Sequence, residues 1–127
     1  MASSDSTRFD PVSHLLGGVG LLALDAGQDA EAECIFRYLR QVLADPTALD
    51  VCRATVLLQR GDPEAAAALL RESVLAEDPT HGPANAVLGY ALQRAGLPGG
   101  RECFERVLAA SIDPDSRAAA IEGLACA

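Results

Sequence analysis

Lysine and tryptophan are absent from this chain of 127 residues, and aromatic side chains make up only 4% of it. Its positive charge is therefore all arginine, ten residues against 18 Asp and Glu, for a formal net charge of −8. An acidic chain without a basic stripe repels phosphate backbones and anionic lipid, which excludes nucleic-acid and membrane-surface binding as expectations. With so few aromatic rings, a core has to be built from Leu, Val and Ala at close helix spacing. No apolar run reaches the roughly 20 residues needed to cross a bilayer. The opening MASSDSTRFDP lacks a basic region followed by an apolar block, so no Sec-type signal is expected. A cytoplasmic location follows as the expectation, with export by a signal-independent route left open. Alternation of period two is missing as well, so no sheet is expected.

Groups able to do covalent chemistry are equally scarce. The two histidines, His14 and His81, have no Cys, Ser or carboxylate at a spacing that suggests a triad or a metal site. Cys34, Cys52, Cys103 and Cys126 form no CxxC pair. Three of them sit inside apolar helical patterns and read as buried, reduced thiols, not as disulfides or zinc ligands. Glu31 with Glu33, and Glu102 with Glu105, read as solvated helix surface, and Asp5, Asp10, Asp25 and Asp29 do not make a calcium loop. Gly17-Gly18-Val19-Gly20 follows no strand and precedes no Lys-Ser/Thr, so it is not a phosphate loop. The expectation is no catalytic residue, no metal, no cofactor and no enzyme.

What the chain does have is a pattern. In LDVCRATVLLQRGDPEAAAALLRE, Leu49 to Glu72, an apolar helix meets Gly61, suited to a left-handed stop, then Asp62 as N-cap and Pro63 at the first helical position. Stop and start signals this close predict a helical hairpin with a short turn. The unit repeats at 34 residues: Ala32, Ala66, Gly100; Phe36, Leu70, Phe104; Leu39, Ser73, Val107; Leu22, Val56, Tyr90; Leu24, Leu58, Leu92. Gly27, Gly61 and Gly96 nearly keep step, as do Asp45-Pro46, Asp78-Pro79 and Asp113-Pro114. A 34-residue helix-turn-helix period is the length of a tetratricopeptide repeat.

The spacing predicts an all-α domain over residues 11–127, after a disordered segment 1–10. It comprises a right-handed α-solenoid of about three hairpins, residues 12–45, 46–79 and 80–113, and a capping helix over 114–126. In the cap, Ala120, Ile121 and Leu124 are expected to cover the third hairpin, with Arg117 and Glu122 outside. Three glycines should make the first helix the weakest, with Gly20 the point of close helix approach. The linker Gly96 to Gly100 should be the most mobile turn. Stacked hairpins curve, and their first helices line an inner face. By repeat phase that face holds Leu21 and Leu24, then Val51, Thr55 and Leu58, then Gly89, Tyr90, Leu92 and Gln93. Leu24, Leu58 and Leu92 fit a core role equally well. If exposed, the face suits an amphipathic helix or an apolar strand.

Val19 to Pro114 resembles the tetratricopeptide repeat family in Val19-Gly20, Ala32 and Phe36, in Ala54, Gly61 and Ala66, and in Leu88-Gly89, Gly96 and Phe104. Each unit closes on Asp-Pro. It departs from the family in lacking a Trp at the start of a first helix, and in placing Ala23 and Leu57 at the bulky Tyr positions. Over residues 12–125 the size and layout resemble the small tetratricopeptide chaperones of bacterial type III secretion, the needle-subunit chaperones and their Hrp relatives. The translocator chaperones are their close kin. That resemblance implies a protein-binding chaperone that shields an apolar helix of a needle or translocator subunit until export, in some cases with a small co-chaperone. The alternative is an adaptor or scaffold component of a larger bacterial complex, docking through a convex or acidic surface.

Overall fold

The computed structural model describes residues 11–126, without the side chains of residues 11, 13 and 14. The expected disordered segment 1–10 and the side chain of His14 lie outside what it describes. The described residues are all-helical, with no strand. The first hairpin is α1 (Pro11–Asp25) and α2 (Asp29–Val42); the second is α3 (Thr47–Gln59) with α4 (Pro63–Glu72) and the single turn α5 (Val74–Glu77). The third is α6 (Gly82–Ala95) and α7 (Gly100–Ala110), followed by α8 (Pro114–Ala125). No helix among the described residues is long and apolar enough to cross a membrane.

Punctuation residues set the helix ends. Asp62 caps α4 by accepting from the Ala65 N–H, and Asp113 caps α8 by accepting from the Ser116 N–H at 3.0 Å. His81 caps α6: its Nδ1 accepts from the Ala84 N–H at 3.1 Å. Gly27, Gly61 and Gly96 all have φ between 70° and 88°. The residue after each donates back to a carbonyl of the last helical turn, Gln28 to Ala23, Asp62 to Leu57 and Leu97 to Leu92. These are three copies of one Schellman stop.

That common stop exposes a slip in the repeat. Counted from the stop glycine, Leu24 and Leu58 correspond to Gln93, not to Leu92, and Leu21 and Thr55 correspond to Tyr90. The first helix of the third unit thus lies 35 residues after its predecessor, while the second helices stay 34 apart through Phe36, Leu70 and Phe104, all fully buried. The linker takes up the difference. The first helical N–H bonds of α2 and α4 start at Ala32 and Ala66, but in α7 the first starts at Cys103, and Gly99 turns left-handed at φ 106°. Gly100 is nevertheless buried at the mouth of its hairpin, as Ala32 and Ala66 are, with the Gly89 carbonyl 3.0 Å from where a Cβ would stand.

The expected close approach at Gly20 is present: a Cβ there would lie 2.7 Å from the Phe36 ring. Gly89 does the same to Phe104 at 2.5 Å, and Gly123 of α8 also lies against that ring. Tyr90 meets Phe104 edge-on, with ring centroids 5.1 Å apart. In the cap, Ala120 is buried and Leu124 half-buried as expected, but Ile121 points outward, because Gly123 takes the contact with Phe104.

Consecutive first helices touch, α1 with α3, α3 with α6 and α6 with α8. Hairpins two and three also meet closely, α4 against α6, through Ala66, Ala67, Leu70, Ala84, Leu88 and Ala91. Between hairpins one and two the contact is of another kind. The backbones of α2 and α3 stay more than 8 Å apart, and charged side chains fill the space. Asp50, buried, accepts from Arg40 at 2.8 Å and from Arg53 at 3.4 Å. Arg53, also buried, reaches Glu33 at 2.7 Å and lies 4.4 Å above the Phe36 ring. At the next junction the corresponding positions are Ala67, Val74, Asn85 and Leu88. Glu33 is exposed, as its pattern suggested, and it is also an ion-pair partner across a junction, which the pattern did not show.

Candidate functional site

The nine residues expected to line a groove do not line one together. Leu24, Leu58, Gly89 and Leu92 are buried, which corrects their assignment to a binding face. Leu24 belongs to the first hairpin's cluster, Leu58 and Leu92 to the cluster between hairpins two and three, and Gly89 lies under Phe104. The cause is geometric: α6 has α4 on one flank and α7 and α8 on others, so few of its positions stay open. Tyr90 and Gln93 are half-buried and committed to α8; the Tyr90 hydroxyl donates to the Ala119 carbonyl at 2.8 Å and the Gln93 amide to the Gly123 carbonyl at 3.0 Å. Burial raises the Tyr90 pKa, helped by the negative charges of Glu122 and Cys126. Leu21, Val51 and Thr55 are half-buried; Leu21 and Val51 pack against the clusters, and the Thr55 hydroxyl donates to the Val51 carbonyl.

The cysteines also differ from expectation. Only Cys103 is buried; Cys34, Cys52 and Cys126 are exposed free thiols. Position within an apolar stretch is a poor guide here, since hairpin stacking leaves one stripe of each helix open. Burial pushes the Cys103 thiol pKa up, against the pull of Arg106 and Arg71. No group of three or more His, Cys, Asp or Glu among the described residues is placed to hold a metal ion.

An apolar stripe of four exposed side chains stands open on α1, while Tyr38, Val42, Leu97, Ile112 and Ile121 are exposed elsewhere in the chain. Val12, Leu15, Val19 and Leu22 are exposed by 62%, 68%, 44% and 71%. Their spacing of three, four and three residues puts them on one helix face. From Val12 to Leu24 the chain carries no carboxylate and no arginine, so the stripe has no charged border of its own. Gly18 stands beside it with open space where a Cβ would be, unlike Gly17 and Gly20, which face side chains of their own chain.

The rest of the fold indicates what such a stripe is for. At the corresponding positions of α3, Leu49 and Val56 pack against the first hairpin's cluster and Arg53 covers Phe36. On α6, after the one-residue slip, Ala84, Leu88 and Ala91 are buried against α4. So the same face is covered by the preceding hairpin twice, and on α1 no preceding hairpin stands among the described residues. Sequence reasoning did not place Val12, Leu15, Val19 or Leu22 among the site residues. The available signal was their spacing, which puts Val12, Leu15, Val19 and Leu22 on one face of a helix. Comparison with family models, with curated proteins and with solved structures finds no match to this chain, so the fold and the site stand on their own geometry.

Proposed function

We propose that this chain is a helix-binding protein of the tetratricopeptide type, a right-handed solenoid of three hairpins closed by α8, with no catalytic step. It shields an apolar or amphipathic helix of a partner protein, in the manner of the type III secretion chaperones that its sequence resembles. The observation that carries this is the exposed stripe Val12, Leu15, Val19 and Leu22. The occupant is a helix or helical hairpin with apolar residues at heptad spacing, because that is what packs on the same face of α3 and α6. Fully burying a Leu or Val side chain contributes about 1.5–3 kcal/mol. The four residues supply the apolar area that a partner helix would cover, and release then needs no bond to break.

The expected inner groove takes second place, since four of its residues are core and two are tied to α8. An adaptor role through Glu31 and Glu33 is also less favoured, because Glu33 is engaged with Arg53. The test is co-expression with small secreted subunits and other small helical proteins encoded beside this chain. The expected result is a soluble complex that survives Leu21→Asp or Thr55→Asp less impaired than Leu15→Asp/Leu22→Asp, which should abolish it. A complex unaffected by the Leu15→Asp/Leu22→Asp pair, in a variant that melts like the wild type, would overturn the proposal.

A further inference from the structure

A cleft of about 420 Å³ opens between the second and third hairpins, within the size range of small-ligand sites. Its accessible apolar lining is Leu75 and Pro79, over the buried Leu88 and Leu92, and two arginines, Arg71 of α4 and Arg106 of α7, border it. Arg106 is held in place from below. Its Nε donates to the Asn85 Oδ1 at 3.1 Å, and its Nη2 lies 3.2 Å from the Cys103 sulfur. Asn85 is buried, and its amide nitrogen donates to the carbonyls of Pro79 and His81, both at 2.9 Å, so its oxygen can only face the arginine. The guanidinium is therefore pre-oriented and keeps donors to spare.

Neither Arg71 nor Arg106 has an ion-pair partner among the described residues, whereas Arg40, Arg53 and Arg60 are paired. In a chain of net charge −8, two unpaired guanidiniums at one cleft are a local reversal of sign. Both lower the Cys103 pKa, so both fields reach the same interior point. Glu102 also borders the cleft and disfavours a multiply charged anion. None of the lining residues is aromatic, so the cleft offers no ring to stack on a base.

The geometry points to a binding site for an aliphatic monocarboxylate, its chain against Leu75 and Pro79 and its carboxylate between Arg71 and Arg106. The same chemistry is presented by a free short-chain acid and by the C-terminal residue of a peptide ending in Leu. The site is separate from the α1 stripe and does not depend on it. The test is calorimetric titration of the full chain with 4-methylpentanoate, with N-acetyl-Gly-Leu, and with the amide of each. At least one carboxylate should bind, and its amide should bind about tenfold or more weakly. Arg71→Gln, at an exposed position, should weaken the carboxylate by a similar factor without moving the melting temperature. Tighter binding of the peptide assigns the site to chain termini, and tighter binding of the free acid assigns it to a small metabolite. Amides that match their acids, an Arg71→Gln variant that binds as the wild type does, or binding by neither carboxylate would overturn the assignment.

Discussion

Asp50→Ala should be among the most damaging single substitutions in the chain. It removes the buried carboxylate from the junction between hairpins one and two, and strands Arg53. That guanidinium already has a buried Nε without a partner, and without Asp50 it would retain only Glu33, which is half in solvent. Breaking a buried pair by deleting one partner costs about 3–5 kcal/mol. The partial exposure of Arg40 and the surviving Glu33 contact place this case near the lower end, at about 3 kcal/mol. The melting temperature should fall by roughly 10 °C, at about 4 °C per kcal/mol for a domain of this size. The informative comparison is the double variant Asp50→Ala/Arg53→Leu. Leu88 occupies the matching position at the next junction, fully packed without any charge. Removing both buried charges forfeits the stacking of Arg53 on Phe36, about 0.5–2 kcal/mol, yet relieves the desolvation of two ions. The double variant should therefore be more stable than Asp50→Ala by about 2 kcal/mol. Urea melts of the three proteins, with slopes compared to confirm similar unfolding, measure this. A loss below about 1 kcal/mol for Asp50→Ala, or a double variant weaker than the single one, would refute the view of the junction as a strained ionic joint.

Two glycine substitutions should separate packing from propensity. Gly89→Ala sets a methyl against the buried Phe104 ring, which is also packed against Gly123, so despite better helix propensity it should cost about 1–3 kcal/mol. Gly18→Ala meets nothing and should add about 0.5–1 kcal/mol, both read by denaturant melts. Acidification should loosen α8 first. The Ser116 hydroxyl and N–H hold the Asp113 carboxyl below its ordinary pKa, so its contribution is complete above the unfolded value and is lost as pH falls through the folded one. Ser116→Ala deletes the hydroxyl donor and keeps the N–H, so it should reduce that low-pH dependence of α8 amide exchange, and an unchanged pH profile would count against the cap.

The helices themselves were legible because each end is written in one or two residues: Gly27, Gly61 and Gly96 as stops, Asp62-Pro63 and Asp113-Pro114 as starts. These act locally, through φ and through a carboxylate that reaches its own backbone. The phase of the second helices was legible for a related reason, since Phe36, Leu70 and Phe104 are large and fully enclosed. Burial on the first helices was not. Whether Leu22 or Leu24 is covered depends on which hairpin lies alongside, and that is a property of the stack and not of the stretch. Phase counting also carried Leu92 into register with Leu58, because an extra residue before α6 and a missing one after it cancel over the unit. The ionic junction stayed hidden because Glu33, Arg40, Asp50 and Arg53 are spread over two helices and each, taken alone, resembles ordinary surface charge.

The glycine linker between α6 and α7 gives this architecture an uneven tolerance to length change. A residue added or lost inside α6 would swing everything beyond it by about 100° around the helix axis and turn Gly89 away from Phe104. A change between Gly96 and Gly100 is absorbed by backbone that already bends left at both ends. Evolutionary drift in chain length, and any engineered graft of a further unit or tag, should therefore survive at that bend and fail a few residues upstream.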